Sequence, residues 1–97
     1  MDSGNKNNQL ILADFFADWC GPCDHIKPIL KDLENEFGEE LKIVGIDIDK
    51  DSVAAAAFKV RTVPTLILFR NGESLWRHTG QISLNEIVEK INQFKES

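Results

Sequence analysis

Leu10-Ile11-Leu12-Ala13-Asp14-Phe15-Phe16-Ala17-Asp18-Trp19-Cys20-Gly21-Pro22-Cys23 runs an apolar segment straight into two cysteines three positions apart. Leu10 to Phe16 has the composition of a buried strand, interrupted only by Asp14. A helix is expected to begin near Cys20–Gly21, because Pro22 suits a first helical turn, where the N–H it lacks would have no partner. Ile26, Ile29, Leu30, Leu33 and Phe37 then recur at the spacing of one helix face. Pro28 falls inside that helix and is expected to kink it, and Gly38 to end it.

Outward from this segment the pattern alternates. Leu41 to Asp47 reads as a second strand, and a strand–helix–strand unit makes the two strands parallel. Ser52 opens a short Ala-rich helix reaching about Lys59, with Val53, Ala56 and Ala57 expected on its inner face. Thr65 to Arg70 is a third strand. Asn71-Gly72 is a strong hairpin signal, and Glu73 to His78 is the partner strand, broken by Gly80. Ser83 with Glu86 forms a capping box for a last helix with Leu84, Ile87, Val88, Ile91 and Phe94 on one face. The order β-α-β-α-β-β-α predicts an α/β fold, a mixed sheet with helices on its faces. Residues 1–9 are polar and read as a flexible tail; 10–97 form one domain.

The chain has 97 residues, eleven of them Lys or Arg, and a formal net charge of −5. The basic residues are scattered, which gives nucleic-acid binding no electrostatic support. No apolar run is long enough to span a membrane. The N-terminal stretch lacks a secretory apolar region, so the cytoplasm is expected. The two cysteines are too close together to restrict the unfolded chain much, so their value is chemical rather than structural.

The chemistry they suit is disulfide exchange. A thiolate, not a thiol, attacks a disulfide. At the start of a helix, Cys20 faces unpaired N–H groups and the positive end of the dipole, which favour its thiolate. Cys23 is its neighbour at i+3 and is expected to be the more enclosed of the two. Cys20 would form a mixed disulfide with a substrate; Cys23 would displace the product and leave Cys20–Cys23 oxidised. Pro22 stiffens the loop and Gly21 lets a substrate backbone approach. Asp14 is either a solvated strand-edge residue or a buried carboxyl of raised pKa, able to take the proton of Cys23 as that thiol attacks. A zinc site is the competing reading of the cysteines. Only His25 and His78 are added candidates, and His25 lies too close to Cys23 to be an easy fourth ligand. Trp76 reads as a packing residue. Pro64 taken alone reads as an ordinary turn proline, since the cis isomer is the minor one even before proline.

These residues together resemble the thioredoxin family. Asp14 to Cys23 is similar to its active-site segment, Ile26-Lys27-Pro28 to the helix that follows, and Val63-Pro64-Thr65 to its cis-proline segment. Phe69-Arg70-Asn71-Gly72 is similar to its hairpin, and Gly80 to a glycine beside its active site. The resemblance implies a protein-disulfide reductase with Cys20 as nucleophile, Cys23 as resolving thiol and Asp14 as proton acceptor. It also implies a substrate groove formed by Trp19, Gly21, Pro22, Val63, Pro64 and Gly80, with a cis bond at Pro64. No bound cofactor or metal is implied. Electrons would come from NADPH through a thioredoxin reductase, the other partners being disulfide-containing proteins.

Three departures from the family pattern stand out. The sequence before Leu10 is too short for the family's first strand and helix, so four strands are expected. Leu41–Asp47 would then lie at an edge, where a monomer could associate weakly. Asp24 and His25 replace a basic and an apolar residue, and the charge of Asp24 should oppose thiolate formation. Gly45 stands where many members carry a lysine near the buried Asp, leaving Asp14 without that partner. The short N-terminal segment and Asp24 motivate a second hypothesis, an interaction module whose groove binds a partner strand even without the cysteines.

Overall fold

The computed structural model describes residues 8–95. Four strands are present in that range: β1 (Leu10–Phe16), β2 (Leu41–Asp47), β3 (Thr65–Arg70) and β4 (Glu73–Thr79). They form one mixed sheet in the order β2-β1-β3-β4, with β1 parallel to β2 and antiparallel to β3. Among the described residues β2 is an edge strand, as expected. Three α-helices accompany the sheet: α1 (Lys27–Phe37), α2 (Ser52–Ala57) and α3 (Leu84–Lys95). The tail expected over residues 1–9 lies mostly outside the described residues; of its described part, Gln9 donates from Nε2 to the carbonyl of Glu39 at 2.8 Å.

Alternation along β1 decides where the site forms. Leu10 and Leu12 point to one face, into a core with Leu33, Phe37, Ile87 and Ile91 of α1 and α3. Ala13 and Phe15 point to the other, where they meet Ala55, Val60, Ile67 and Phe69. Asp14 shares the parity of Leu10 and Leu12, so it lies on the face that α1 covers.

The expected helix kinked at Pro28 is instead two pieces. Gly21–His25 is a 3-10 helix, and α1 starts afresh at Lys27 with Pro28 in its first turn. Pro28 has no N–H to give the carbonyl of Asp24, so the ladder is cut there. Ile26 N–H bonds the Cys23 carbonyl at 3.2 Å, and Leu30 N–H bonds that of Ile26 at 2.9 Å.

A second difference concerns α2, which ends at Ala57. Asp51 caps it by accepting the N–H of Ala54 at 3.1 Å. Its buried residue is Ala55, while Val53 is 79% exposed and Ala56 and Ala57 are also exposed. A run of small alanines carries little amphipathic signal, so the segment that follows sets the facing. Val60 is buried there, and Phe58 lays its ring edge-on to Phe15 and Phe69.

The hairpin and the last cap follow the sequence closely. Asn71 and Gly72 both take positive φ, 54° and 78°, the geometry of a tight two-residue turn. Glu86 N–H donates to Ser83 Oγ at 3.2 Å, and Ser83 N–H to Glu86 Oε1 at 3.4 Å. Trp76 packs against the larger core.

Candidate active site

β1 ends at Phe16, and within four residues the chain turns into the 3-10 helix. Cys20 is its N-cap, with extended backbone (φ −90°, ψ 99°), and its Sγ accepts the N–H of Cys23 at 3.2 Å. The two cysteines are joined as a disulfide, with Cα atoms 5.4 Å apart. Cys23 was expected to be the more enclosed, but both are 5% exposed. The reason is packing: the pair forms one apolar cluster with Ala17, against which Phe16, Ile48 and Val63 close.

Asp14 is buried in the strand that leads to this pair. It is 8% exposed, and its Oδ1 has no hydrogen-bond partner among the described residues. Its neighbours across the sheet are Gly45 on β2 and Leu66 on β3, neither of which can compensate a charge. Burial pushes the carboxyl from its ordinary 3.8 up to about 6, while the ammonium of Lys27 pulls the other way. Asp14 and Cys23 line one cavity of about 150 Å³, together with Phe16, Ala17, Asp18, Asp24 and Lys27.

The remaining expected residues surround the disulfide in part. Trp19 is 68% exposed, and its indole N–H donates to Asp49 Oδ2 at 2.9 Å. Gly21 and Pro22 are exposed, with open space where a Gly21 side chain would stand. The Val63–Pro64 peptide is cis, and Val63 packs on the cysteine cluster. Gly80, at φ +96°, donates its N–H to the Pro64 carbonyl at 2.9 Å, tying the two loops together. Thr65 is buried just after Pro64 and donates its hydroxyl to the Thr62 carbonyl at 2.6 Å.

The departures also find their places. Asp24 does not act as an isolated negative charge: its Oδ1 lies 3.2 Å from Lys27 Nζ. Gly45 faces Asp14 in register, and the Phe16 ring occupies the space beside it, 3.3 Å from where a Cβ would stand. His25 accepts at Nδ1 from the Gln81 amide at 3.2 Å, and His78 Nε2 meets the Gln81 carbonyl at 2.8 Å. Lys27, Asp49 and Gln81 are the contributors that sequence reading missed. Lys27 had a visible signal, since it stands at i+3 from Asp24 and i+4 from Cys23. Among the described residues no three His, Cys, Asp or Glu side chains come together as a metal site, and no helix is long and apolar enough to cross a membrane.

The family model described as Thioredoxin matches residues 3–93. The thioredoxin of Bacillus subtilis is 40% identical over 91 residues, 91% of this chain and 88% of that protein. That of Haemophilus influenzae is 41% identical over 83 residues, 86% of this chain and 78% of its own length. The chloroplastic Thioredoxin Y of Oryza sativa is 34% identical, and the chain spans 51% of its length. Among solved structures, a mutant thioredoxin from Halobacterium salinarum superposes with a TM-score of 0.85 at 34% identity, covering 99% of this chain and 83% of that one.

Proposed function

The chain belongs to the thioredoxin family, a thiol–disulfide oxidoreductase working through Cys20 and Cys23, and from that premise we propose that it runs as a reductant of protein disulfides with Asp14 as proton acceptor. In the reduced protein the Cys20 thiolate attacks one sulfur of a substrate disulfide. A Cys20–substrate disulfide forms, and the first substrate sulfur leaves as a thiolate that takes a proton from water. Cys23 then gives its proton to Asp14 and attacks Cys20 Sγ. The Cys20–Cys23 bond forms, the second substrate thiolate departs, and two electrons have passed to the substrate.

The observation that carries the role of Asp14 is its burial in one cavity with Cys23, with Oδ1 free to accept. A carboxyl held at about 6 is mostly ionised at neutral pH yet basic enough to accept a proton. Trp19, Gly21, Pro22, Val63, Pro64 and Gly80 form the surface on which an extended substrate segment would lie. The oxidised pair is returned to the dithiol by a thioredoxin reductase drawing on NADPH, in the cytoplasm, with the protein acting as a monomer and no cofactor bound.

The test is to follow one turnover with a disulfide-bonded protein and trap the mixed disulfide. Asp14→Asn should leave the first attack intact and slow the second by about a hundredfold, so that the mixed disulfide accumulates. Resolution at the wild-type rate would remove Asp14 from the reaction. Titrating the Cys20–Cys23 couple against a defined dithiol buffer tests the direction: a potential well below the cytosolic glutathione poise fits a reductant.

A further inference from the structure

Trp19, His25 and His78 each carry a ring N–H in a segment that borders the expected substrate surface, and two of these donors are engaged within the chain. Trp19 gives its indole N–H to Asp49 Oδ2 at 2.9 Å. His78 Nε2 meets the backbone carbonyl of Gln81 at 2.8 Å, and since a carbonyl only accepts, that nitrogen carries the proton. The third donor belongs to His25, the last residue of the 3-10 helix that follows Cys20. The side-chain nitrogen of Gln81 lies 3.2 Å from His25 Nδ1. An amide nitrogen only donates, so Nδ1 accepts and the proton of the neutral ring sits on Nε2. Among the described residues that Nε2–H has no partner, and His25 is exposed. Gln81 directly follows Gly80, whose N–H bonds the Pro64 carbonyl at 2.9 Å, so its amide joins the end of the 3-10 helix to the loops at the cis-proline. This anchor is itself held: the His78 ring that bonds the Gln81 backbone stacks on Trp76, with centroids 5.9 Å apart and planes at 19°.

We infer that His25 is a specificity-determining residue of the exchange reaction: held by Gln81, its Nε2–H selects substrates that carry a carboxylate side chain in the segment flanking their disulfide. This role rests on the chain being a reductant of protein disulfides whose substrates lie on that surface. The chemistry of the donor decides the class. With Nδ1 engaged, the ring offers no acceptor, so an ammonium gains nothing from it. A carboxylate only accepts, and a hydrogen bond to a charged group is stronger than one to a neutral amide. The charge of the neighbouring Asp24 is offset by Lys27 at 3.2 Å. The net charge of −5 acts against acidic substrates at longer range, where salt screens it, so the preference is local and modest. Gln81 acts through His25, as its positioning residue.

The experiment measures kcat/KM of the full chain for disulfide-linked peptides that carry Glu, Gln or Leu at either residue next to the cysteine. It is run at about pH 8, above the range in which imidazoles ordinarily titrate. The wild type should favour Glu over Leu by about fivefold, with Gln between them. His25→Leu should abolish that preference and Gln81→Leu should weaken it. The nitrogen chemical shifts of His25 should show the Nε2–H tautomer in the wild type and a mixture of tautomers in Gln81→Leu. No preference in the wild type, or a preference unchanged in either variant, overturns the inference. So does an Nδ1–H tautomer in the wild type. A preference lost in Lys27→Gln but kept in His25→Leu overturns it too, and assigns the recognition to the ammonium. Cys20→Ser separates the two readings. Turnover that persists without Cys20 removes the reductant reading, whereas Cys20-dependent turnover with no preference removes only the role of His25.

Discussion

Two cavities lie at opposite ends of β1, and they treat polar groups differently. At the N-terminal end, a cleft of about 220 Å³ is lined by Asn8, Gln9, Leu10, Glu39, Glu40, Arg70 and Lys95. Gln9 bonds the Glu39 carbonyl, Arg70 bonds the Phe94 carbonyl, and Lys95 pairs with Glu40 at 3.5 Å. Lys95 also stands 5.5 Å over the Phe37 ring. These charges tie the last helix to the segment before β2. At the C-terminal end, the Asp14 carboxyl is buried with one oxygen unpartnered. A charge in that position costs stability, and the cost is retained where the exchange reaction takes place. One end of the strand uses its polar groups for cohesion, and the other leaves a buried carboxylate oxygen unpartnered in the cavity that Cys23 also lines.

The sharpest way to break this contrast is through the sulfur. Cys20→Ser should lower turnover of a disulfide-bonded protein by about a thousandfold or more, whereas Glu40→Gln at the far end should leave turnover unchanged. Comparable losses from both would show that the ends are not functionally separate.

Next comes stability at the active end. Asp14 titrates at an ordinary 3.8 when unfolded and at about 6 when folded. The folded state therefore binds the proton more tightly, so stability is lost as pH rises from about 4 to about 6 and stays lower above. Asp14→Ala should raise unfolding stability at pH 7 by up to about 3 kcal/mol, and the gain should vanish near pH 4. Denaturant midpoints at the two pH values check this; a variant destabilised at pH 7 would mean that Asp14 is structurally satisfied.

Smaller effects belong to the other end. Lys95→Ala, which removes both the ion pair and the cation over Phe37, should cost about 1 kcal/mol. Glu40→Gln should cost less than that, about 0.5 kcal/mol, and the loss should shrink in high salt. Thermal denaturation in low and high salt measures both.

Much of the frame was readable because its signals are local. The apolar run over Leu10–Phe16, the Asn71-Gly72 turn and the Ser83–Glu86 box each act within a few residues, and each is realised. Cys20, Cys23 and Asp14 were legible for a similar reason, as a strand feeding a helix start with one carboxyl out of place. What was not legible depends on packing between distant segments. Equal burial of the cysteines comes from Ile48 and Val63. The facing of α2 follows from where Phe58 and Val60 settle. The break before α1 was half readable: Pro28 signalled a disturbance, but only the hydrogen bonds of Ile26 and Leu30 decide between a kink and a fresh start.

The central place of β1, paired along its length with β2 on one side and β3 on the other, has a consequence for how the protein opens. Backbone amides bonded inside a sheet and covered on both faces exchange with solvent only through large-scale unfolding. The amides of Leu12, Ala13, Asp14 and Phe15 should therefore be among the slowest to take up deuterium. The reactive pair thus hangs from a segment among the last to open, and cycles of oxidation and reduction can proceed at its tip while its amides stay protected.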